Sequence, residues 1–285
     1  MVQHLSDLRQ KYLNKGYVVL KSFYNKDIIR QLRSQIIDIS NQDKEILNYL
    51  IVQELILRED LISKIKHLLE TEKLIYYSDS NIVNKPLALK SKNGFHNDAR
   101  FEDETIPYNE EYPIVRLAIY FEDYKNFSGG LKIKEKSHNY YCFNFRAIKQ
   151  NLINVIKILF SKTRYEISSL RLGKSINLDL EEGDIVIWNL RTHHCGVSRR
   201  LKLFPSWCLQ PYIEKLLPLS FFLPTQYEKD RCSIFCTFAK NDLKNANIFN
   251  YVKNKMNKLK IKEIKNNIIL SDKLTELGLT LPDIK

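Results

Sequence analysis

The sequence predicts a mainly β protein, in which two β-sheets form the core and helices pack against them. Two observations support this fold class. The first third of the chain places apolar residues at helical spacing, whereas most of the following residues form short apolar runs at strand spacing. Helices followed by a series of strands are typical of a double-sheet core with flanking helices. With 285 residues and 44% hydrophobic content, the chain can bury a full core.

The amino-terminal third is predicted to contain three helices and one strand. The helical stretches are the stripe at 5–12, the segment 27–37 after a cap at Asn25 or Asp27, and 44–70. The last of these is interrupted near Arg58. Between the first two helices, residues 16–23 are β-branched and aromatic, which favours a strand.

The middle of the chain is predicted to be mostly strands. The strand-like runs are 74–80, 86–90, 114–123, 130–137, 175–180, 183–190 and 203–213. In 130–137, Leu131 and Ile133 alternate with lysines, as in a half-buried strand. Residues 144–161 return to helical spacing and are interpreted as an insertion between strands.

The carboxy-terminal region is rich in lysine. Residues 241–268 carry seven lysines against two acids, with apolar residues on one helical face. Such a helix either docks on its own domain or binds an anionic partner such as a membrane surface or nucleic acid. The predicted organisation is therefore a main domain over 1–215 and a helical, lysine-rich extension over 216–285 packed on the same domain.

The bulk properties leave several interpretations of the charge open. The formal net charge of +12 is compatible with nucleic acid, an anionic membrane or an acidic substrate, and also with the Lys-, Asn- and Ile-rich composition of an AT-rich genome. The five cysteines form no CxxC pair, which favours reduced thiols. With no signal-peptide pattern at the start and no apolar run long enough to span a bilayer, the expected location is cytoplasmic.

An H-x-D motif is the first candidate for chemistry. On an extended strand, residues two apart share a face, so His96 and Asp98 can bind one metal together. His194, 98 residues after His96, can complete a set of two histidines and one carboxylate. That set suits Fe(II) because it leaves coordination positions open for a co-substrate and O₂.

The segment around His194 strengthens this hypothesis. A Gly-Asp turn and an apolar strand lead to His193-His194, then to small residues and two arginines. If the strand continues, His194, Ser198 and Arg200 share one face and His193 lies on the other, unless a bulge at Gly196 intervenes. Arginine pairs bidentately with carboxylates, as the C5 carboxylate of 2-oxoglutarate requires.

At these residues the chain resembles the phytanoyl-CoA dioxygenase (PhyH) family of Fe(II)/2-oxoglutarate oxygenases, over roughly residues 9–210. The resemblance has four parts in the family's order: the opening strand and helix, the H-x-D, a Gly-Gly-Leu hairpin followed by Ser-His, and the distal histidine segment. The corresponding residues are Gly16-Tyr17, His96-Asn97-Asp98, Gly129-Gly130-Leu131 with Ser137-His138, and Gly183 to Gly196. Two departures are the Glu135-Lys136 before Ser-His and the short spacing from His194 to Arg200.

The resemblance implies a double-stranded β-helix (jelly roll, cupin-like) and an oxidoreductase of the dioxygenase type. Its metal ligands would be His96, Asp98 and His194, and Arg200 would hold 2-oxoglutarate, with Ser198, Tyr76 or Ser78, Arg116 and Leu131 as further contacts. Arg100 and Trp188 would face the substrate, a small or carrier-linked metabolite that includes anionic candidates. Halogenating relatives lack the carboxylate ligand, so Asp98 favours hydroxylation or a related oxidation, with release of succinate and CO₂.

Two functions of other classes remain open at this point. A catalytically silent binding protein could use the same fold, and iron-dependent succinate formation would distinguish it from an enzyme. A membrane or nucleic-acid binder acting through 241–268 would show salt-sensitive binding that is lost with that segment.

Overall fold

Helices and two β-sheets make up the computed structural model, which describes residues 2–42, 45–82, 95–99, 111–139, 174–227, 231–241, 264 and 268–281. The helices are α1 (Val2–Lys15), α2 (Lys26–Ser40), α3 (Leu50–Ile56), α4 (Glu59–Leu69), α5 (Pro211–Leu216) and α6 (Ile268–Glu276), with 3₁₀ turns at Ile46–Asn48 and Leu219–Phe221. The strands are β1 (Tyr17–Leu20), β2 (Leu74–Ile82), β3 (Ile114–Tyr120), β4 (Gly130–Lys134), β5 (Ser175–Asn177), β6 (Ile185–Asn189), β7 (His194–Ser198), β8 (Ser233–Lys240) and β9 (Leu279–Thr280).

The strands form a six-stranded and a three-stranded sheet. The large sheet has the order β1-β6-β3-β8-β2-β9, and the small one β5-β4-β7. Neighbouring strands run antiparallel except for β2 and β9, which are parallel. No helix within the described ranges is both long and apolar enough to cross a membrane.

Alternation along the strands builds two apolar layers. On β3, Val115, Leu117 and Ile119 pack with the helices, whereas Ala118 and Tyr120 face the opposite way. The second group joins residues of the small sheet in one cluster, so the two sheets pack face to face. Because the large sheet is covered on both faces, its strands are apolar almost throughout. The predicted mainly β core with flanking helices is confirmed.

The helices begin where local hydrogen bonding favours it. The side chain of Asn25 accepts from the backbone N–H of Asp27 at 2.8 Å and caps α2, as predicted. Helix α4 starts after Arg58 with Glu59 and Asp60 in its first turn, where acidic groups complement the helix dipole. The predicted interruption near Arg58 is therefore confirmed.

A glycine turn ties the start of β6 to the end of β1. Gly183 has φ +84°, and a Cβ there would lie 2.3 Å from the backbone oxygen of Tyr24. The following carboxylate, Asp184, accepts from the backbone N–H of Ser22 at 2.8 Å and pairs with Lys21 at 2.7 Å. The Gly-Asp pair thus fixes where the strand enters the sheet.

Replacing Gly183 with alanine should lower the free energy of unfolding by about 2–4 kcal/mol, because the methyl group meets backbone and the φ value is strained. Urea denaturation measures the loss. Gly196→Ala is the matched control, since its Cβ would meet only the flexible end of Arg231 at 3.8 Å. Equal losses in the two variants would contradict this account of the turn.

The carboxy-terminal strand differs from the prediction. Residues 203–213 do not form a strand, since Pro205 and Pro211 cannot donate to a ladder and Pro211 instead starts α5. The strands that the sequence analysis did not predict are β8, which lies between β3 and β2 in the large sheet, and β9, which lies at its edge beside β2. Consequently a boundary at 215 does not separate the sheet from a helical extension, because β8 and β9 both belong to the sheet.

Strand β4 is buried on both faces rather than half-buried. Lys132 and Lys134 are 0% and 1% exposed. The Lys132 ammonium pairs with the buried Glu214 carboxylate and donates to the Leu209 carbonyl at 2.9 Å. The segment that carries Glu214 covers the outer face of the small sheet and supplies the partner that a buried lysine needs.

Three predicted elements, at 86–90, at 144–161 and over most of 241–268, lie outside the described residues.

Candidate metal centre

Three side chains that could bind one metal ion converge where the segment around residue 96 meets the start of β7. The ligand atoms of His96, Asp98 and His194 all lie within 4.8 Å of one another. The backbones of His96 and His194 exchange two hydrogen bonds, at 3.0 and 2.7 Å. The chain then turns, and the backbone N–H of Asp98 donates to the carbonyl of Leu190 at 3.1 Å. Backbone pairing therefore sets the separation of the three side chains.

The ligand atoms are arranged as a facial set requires. His96 Nε2 lies 3.9 Å from Asp98 Oδ1, and His194 Nε2 lies 3.5 Å from Asp98 Oδ2. The two imidazole rings have centroids 4.5 Å apart. A metal bound by three atoms on one side keeps its opposite side free for other ligands. Side-chain exposure of 32% for His96 and 21% for Asp98 shows that the cluster is accessible.

His194 is held in the tautomer that a metal ligand needs. Its Nδ1 lies 3.1 Å from the carbonyl oxygen of Thr192, which can only accept, so Nδ1 carries the proton. Burial lowers the pKa of His194 to about 4, opposed by the Asp98 carboxylate, so the ring is neutral near pH 7. The Nε2 lone pair then points at the cluster. Thr192 is itself fixed, because its hydroxyl donates to the carbonyl of Gly16 at 2.8 Å.

The neighbouring His193 is directed elsewhere. Its backbone N–H donates to the Ser137 hydroxyl at 2.8 Å, and its ring Nε2 lies 3.3 Å from the Asn97 amide nitrogen. The structure therefore brings His194, and not His193, together with His96 and Asp98.

Arg116 and Trp188 border the cluster. Arg116 Nε lies 3.6 Å from Asp98 Oδ2, and the Trp188 ring centroid lies 5.4 Å from that of His194. The two residues are register partners on β3 and β6, and the Phe235 ring of β8 lies beside both. Two residues predicted for the pocket thus lie next to the candidate ligands.

Arg200 and Ser198 are placed away from the cluster. Between Lys132↔Cys195 and Gly130↔Ser198, β7 has one residue more than β4, which is a bulge. The same-face argument therefore fails beyond Gly196. Arg200 pairs with Asp179 at 2.7 Å and donates to the Leu178 carbonyl at 2.8 Å, and the Ser198 hydroxyl donates to Asn177 at 2.8 Å.

The remaining predicted contacts divide between the two faces of the large sheet. Leu131 belongs to the apolar cluster between the sheets. Tyr76 packs on the helical side instead, where its hydroxyl donates to the Glu45 carboxylate at 3.0 Å. The Ser78 side chain and all of Arg100 lie outside the described residues.

A buried arginine that the sequence analysis did not suggest lies beside Gly196, two residues after His194. Arg231 precedes β8, is 7% exposed, and its Nη1 lies 3.8 Å from where a Cβ on Gly196 would stand. Within the described residues its Nε and Nη2 have no hydrogen-bond partner. Burial lowers the pKa of its guanidinium, but Tyr124, Tyr120 and Glu122 outweigh this, so the pKa is raised and the group is a cation.

Further unsatisfied polar atoms share the inner face with Arg231. In the part of the chain that the structure describes, buried side-chain atoms without a hydrogen-bond partner include Tyr120 OH, Trp188 Nε1, Ser233 Oγ and Thr237 Oγ1. Tyr120 and Ser233 are register partners, as are Arg116 and Thr237. Buried polar groups are normally satisfied by protein, ordered water or a bound ligand, so this row of groups could bind a polar molecule between the sheets.

Comparison with known proteins identifies solved structures of the same fold. No protein-family model and no curated protein matches the sequence. Among solved structures, the non-heme alpha ketoglutarate dependent epimerase SnoN from nogalamycin biosynthesis is 10% identical with a TM-score of 0.52, covering 84% of each chain. EctD from S. alaskensis is 11% identical with a TM-score of 0.51, covering 82% of this chain and 76% of EctD. These likenesses show that the chain has the jelly-roll, cupin-like fold of those two proteins.

Proposed function

We propose that the protein is an Fe(II)- and 2-oxoglutarate-dependent oxygenase. The observation that carries the proposal is the His96–Asp98–His194 cluster together with Arg231, which lies beside Gly196 and whose Nε and Nη2 have no hydrogen-bond partner among the described residues. SnoN has been solved with Fe³⁺ and alpha ketoglutarate, and EctD with 2-oxoglutarate, and both share the fold of this chain.

The donor set fits iron. Two imidazoles and one carboxylate match the facial triad of non-haem Fe(II) oxygenases, which leaves positions open for a co-substrate and O₂. His194 offers a neutral Nε2 to the metal. Arg116 pairs with the Asp98 carboxylate and orients it, while the carboxylate oxygens still face the metal position.

The inner face fits 2-oxoglutarate. Arg231 can receive the C5 carboxylate through its two uncommitted nitrogens, in the bidentate pairing typical of arginine and carboxylates. The hydroxyls of Tyr120 and Ser233 are available as further donors. Gly196 lies two residues beyond His194, about 6.7 Å along an extended strand, which is comparable with the span of a five-carbon dicarboxylate. Arg231 therefore takes the role that the sequence suggested for Arg200.

When bound, the iron and 2-oxoglutarate supply the oxidising power, as O₂ is reduced and 2-oxoglutarate is decarboxylated to succinate and CO₂. The protein's own residues hold the reactants and keep the site dry. His96, Asp98 and His194 fix the metal, Arg231 fixes the far end of the co-substrate, and Trp188 and Phe235 exclude water beside it.

We infer that the reaction is hydroxylation of an aliphatic C–H bond in a small or carrier-linked metabolite. Asp98 supports this outcome, because it occupies the ligand position that halogenation requires to be vacant. The PhyH-like order of motifs supports it as well. The shared fold with an epimerase shows how widely outcomes can vary on one scaffold, so the product must be identified directly.

The proposal is tested by loading the purified protein with Fe(II) without oxygen, adding 2-oxoglutarate, and recording the visible absorption band of the iron–2-oxoglutarate complex. Exposure to O₂ should then release succinate at a rate that candidate metabolites increase. Binding of both without any succinate, even over many hours, would instead support a silent binding protein. No absorption band with Fe(II) would contradict the proposal.

A further inference from the structure

A group of exposed apolar side chains projects from the segment that leads from β7 to β8. Six large hydrophobic residues within 203–221 are 48–81% exposed, which is unusual for one short segment of a monomer. They are Leu203, Phe204, Trp207, Leu216, Leu219 and Phe221. We call these six side chains the 203–221 surface.

The two arms of the segment hold this surface together. The backbone N–H of Lys202 donates to the carbonyl of Phe221 at 2.9 Å, so the outgoing and returning arms are neighbours. On the outgoing arm, the rings of Phe204 and Trp207 stack with centroids 4.6 Å apart and an interplanar angle of 19°. The exposed side chains are thus parts of one patch rather than scattered residues.

Polar contacts beneath the patch fix its backbone. The carbonyl of Trp207 accepts from the Asn177 amide at 3.0 Å. Glu214 is buried, pairs with the ammonium of Lys132, and accepts through its backbone carbonyl from Arg199 Nη1 at 3.0 Å. Because these anchors lie on β4, β5 and the end of β7, the apolar side chains are held outward by the small sheet. A preformed surface loses little conformational entropy when it docks.

The charge around the 203–221 surface favours an anionic binding partner. Residues 201–227 contain one acid, Glu214, and it is buried against Lys132. Lys202 is exposed beside the patch, and the whole chain carries a formal net charge of +12. A second copy docked by a two-fold axis would bring lysines of this segment together with no exposed acid of the segment between them. An anionic bilayer matches both the apolar side chains and the positive charge.

We propose that the 203–221 surface docks the protein on an anionic lipid bilayer, with Phe204 and Trp207 inserted at the headgroup boundary. Tryptophan and phenylalanine are the residues that peripheral proteins place at this depth. The inference goes beyond the proposed function and does not rest on it, since docking requires neither metal nor co-substrate.

Tryptophan fluorescence tests the docking directly. The chain has two tryptophans, and Trp188 is completely buried, so a change on adding vesicles reports on Trp207. Phosphatidylcholine vesicles with about one third phosphatidylserine should shift the emission to shorter wavelength and sediment the protein, whereas pure phosphatidylcholine vesicles should bind it less. Trp207→Phe should abolish the shift yet retain sedimentation.

Paired variants assign the binding to the patch. The double substitution Phe204→Ser with Trp207→Ser should lower the vesicle partition coefficient by at least about tenfold. It removes the two large apolar side chains whose transfer from water into the bilayer favours binding. The control is Ile268→Ser with Ile269→Ser, which removes apolar side chains on α6 that are even more exposed, at 80% and 75%, and should leave partitioning unchanged. Circular dichroism confirms that each variant is folded.

Three results would overturn the proposal. The first is no fluorescence shift and no sedimentation with anionic vesicles. The second is sedimentation without a Trp207 shift and without an effect of the paired substitution, which would assign the binding to the lysine-rich segment 241–268. The third is a dimer in analytical ultracentrifugation that the substitutions at Phe204 and Trp207 dissociate, without vesicle binding, which would make a second copy the occupant.

Discussion

Replacing His194 with alanine is expected to abolish iron binding and succinate formation, with a loss of about 10³-fold or more in rate. The imidazole is the most buried of the three ligands, and Thr192 holds its Nε2 toward the cluster. Two remaining donors give a site too weak to retain Fe(II) at working concentrations. Anaerobic Fe(II) titration followed by a succinate assay measures both losses.

His193→Ala is the matched control for this prediction. Its ring is equally buried and adjacent in sequence, but it contacts the Asn97 amide rather than the metal cluster. That variant should bind one iron with nearly unchanged stoichiometry. The assignment of ligands is wrong if His193→Ala loses iron while His194→Ala retains it. Thermal unfolding of both variants separates loss of the site from loss of the fold.

The metal cluster was the part of the site most accessible to sequence reasoning. An H-x-D places two donors on one face wherever the chain is extended, and this relation is local. In the structure only His96 of that segment pairs as a bridge, and the chain turns at Asp98, yet the two side chains still meet. The identity of the third ligand followed from its position at the start of a strand, which β7 retains.

The arginine that we propose for the co-substrate carboxylate could not be predicted in the same way. Strand parity fails at the first bulge, and whether a bulge forms depends on the partner strand as well as on the local sequence. The extra residue in β7 after Cys195 took Arg200 out of register with His194. The signal for Arg231 was weak, because it is one of many basic residues and lies 37 positions after His194, just before a strand that the sequence analysis did not predict. That Arg231 is buried with two guanidinium nitrogens free of hydrogen-bond partners among the described residues is seen only in the structure.

The fold shows the same division between local and long-range information. Asn25 and the interruption near Arg58 were predictable because capping and helix termination depend on adjacent residues. The apolar run at 203–213 has the composition of a strand, but Pro205 and Pro211 cannot donate to a ladder, and Pro211 starts α5 instead. The lysines of β4 suggested solvent on one face, whereas Glu214, 82 residues after Lys132, covers that face. Contacts over such separations leave no local pattern.

Replacing Arg231 with methionine is expected to raise the KM for 2-oxoglutarate by about 100-fold, equivalent to roughly 3 kcal/mol. Methionine fills a similar volume but cannot donate to a carboxylate. Glu122, the acid that raises the pKa of Arg231, already accepts from the Tyr124 hydroxyl at 2.6 Å and the backbone N–H of Cys232 at 2.7 Å and pairs with Arg33 at 3.2 Å. The Arg231 Nε and Nη2 atoms are therefore available to an external anion. The rate at saturating 2-oxoglutarate should change much less, because Arg231 touches only the end of the co-substrate that does not react.

A change in co-substrate preference would identify the interaction. In Arg231→Met, the kcat/KM for 2-oxo acids that lack the C5 carboxylate should rise relative to that for 2-oxoglutarate. These acids place no unpaired charge in the pocket. Arg200→Met is the control, because its guanidinium pairs with Asp179, and it should change the KM by less than about threefold. If Arg200→Met raises the KM and Arg231→Met does not, the strand-parity assignment is right and the pocket has been located incorrectly. If both variants keep full affinity for 2-oxoglutarate, the C5 carboxylate is bound by another residue and the role proposed for Arg231 is wrong.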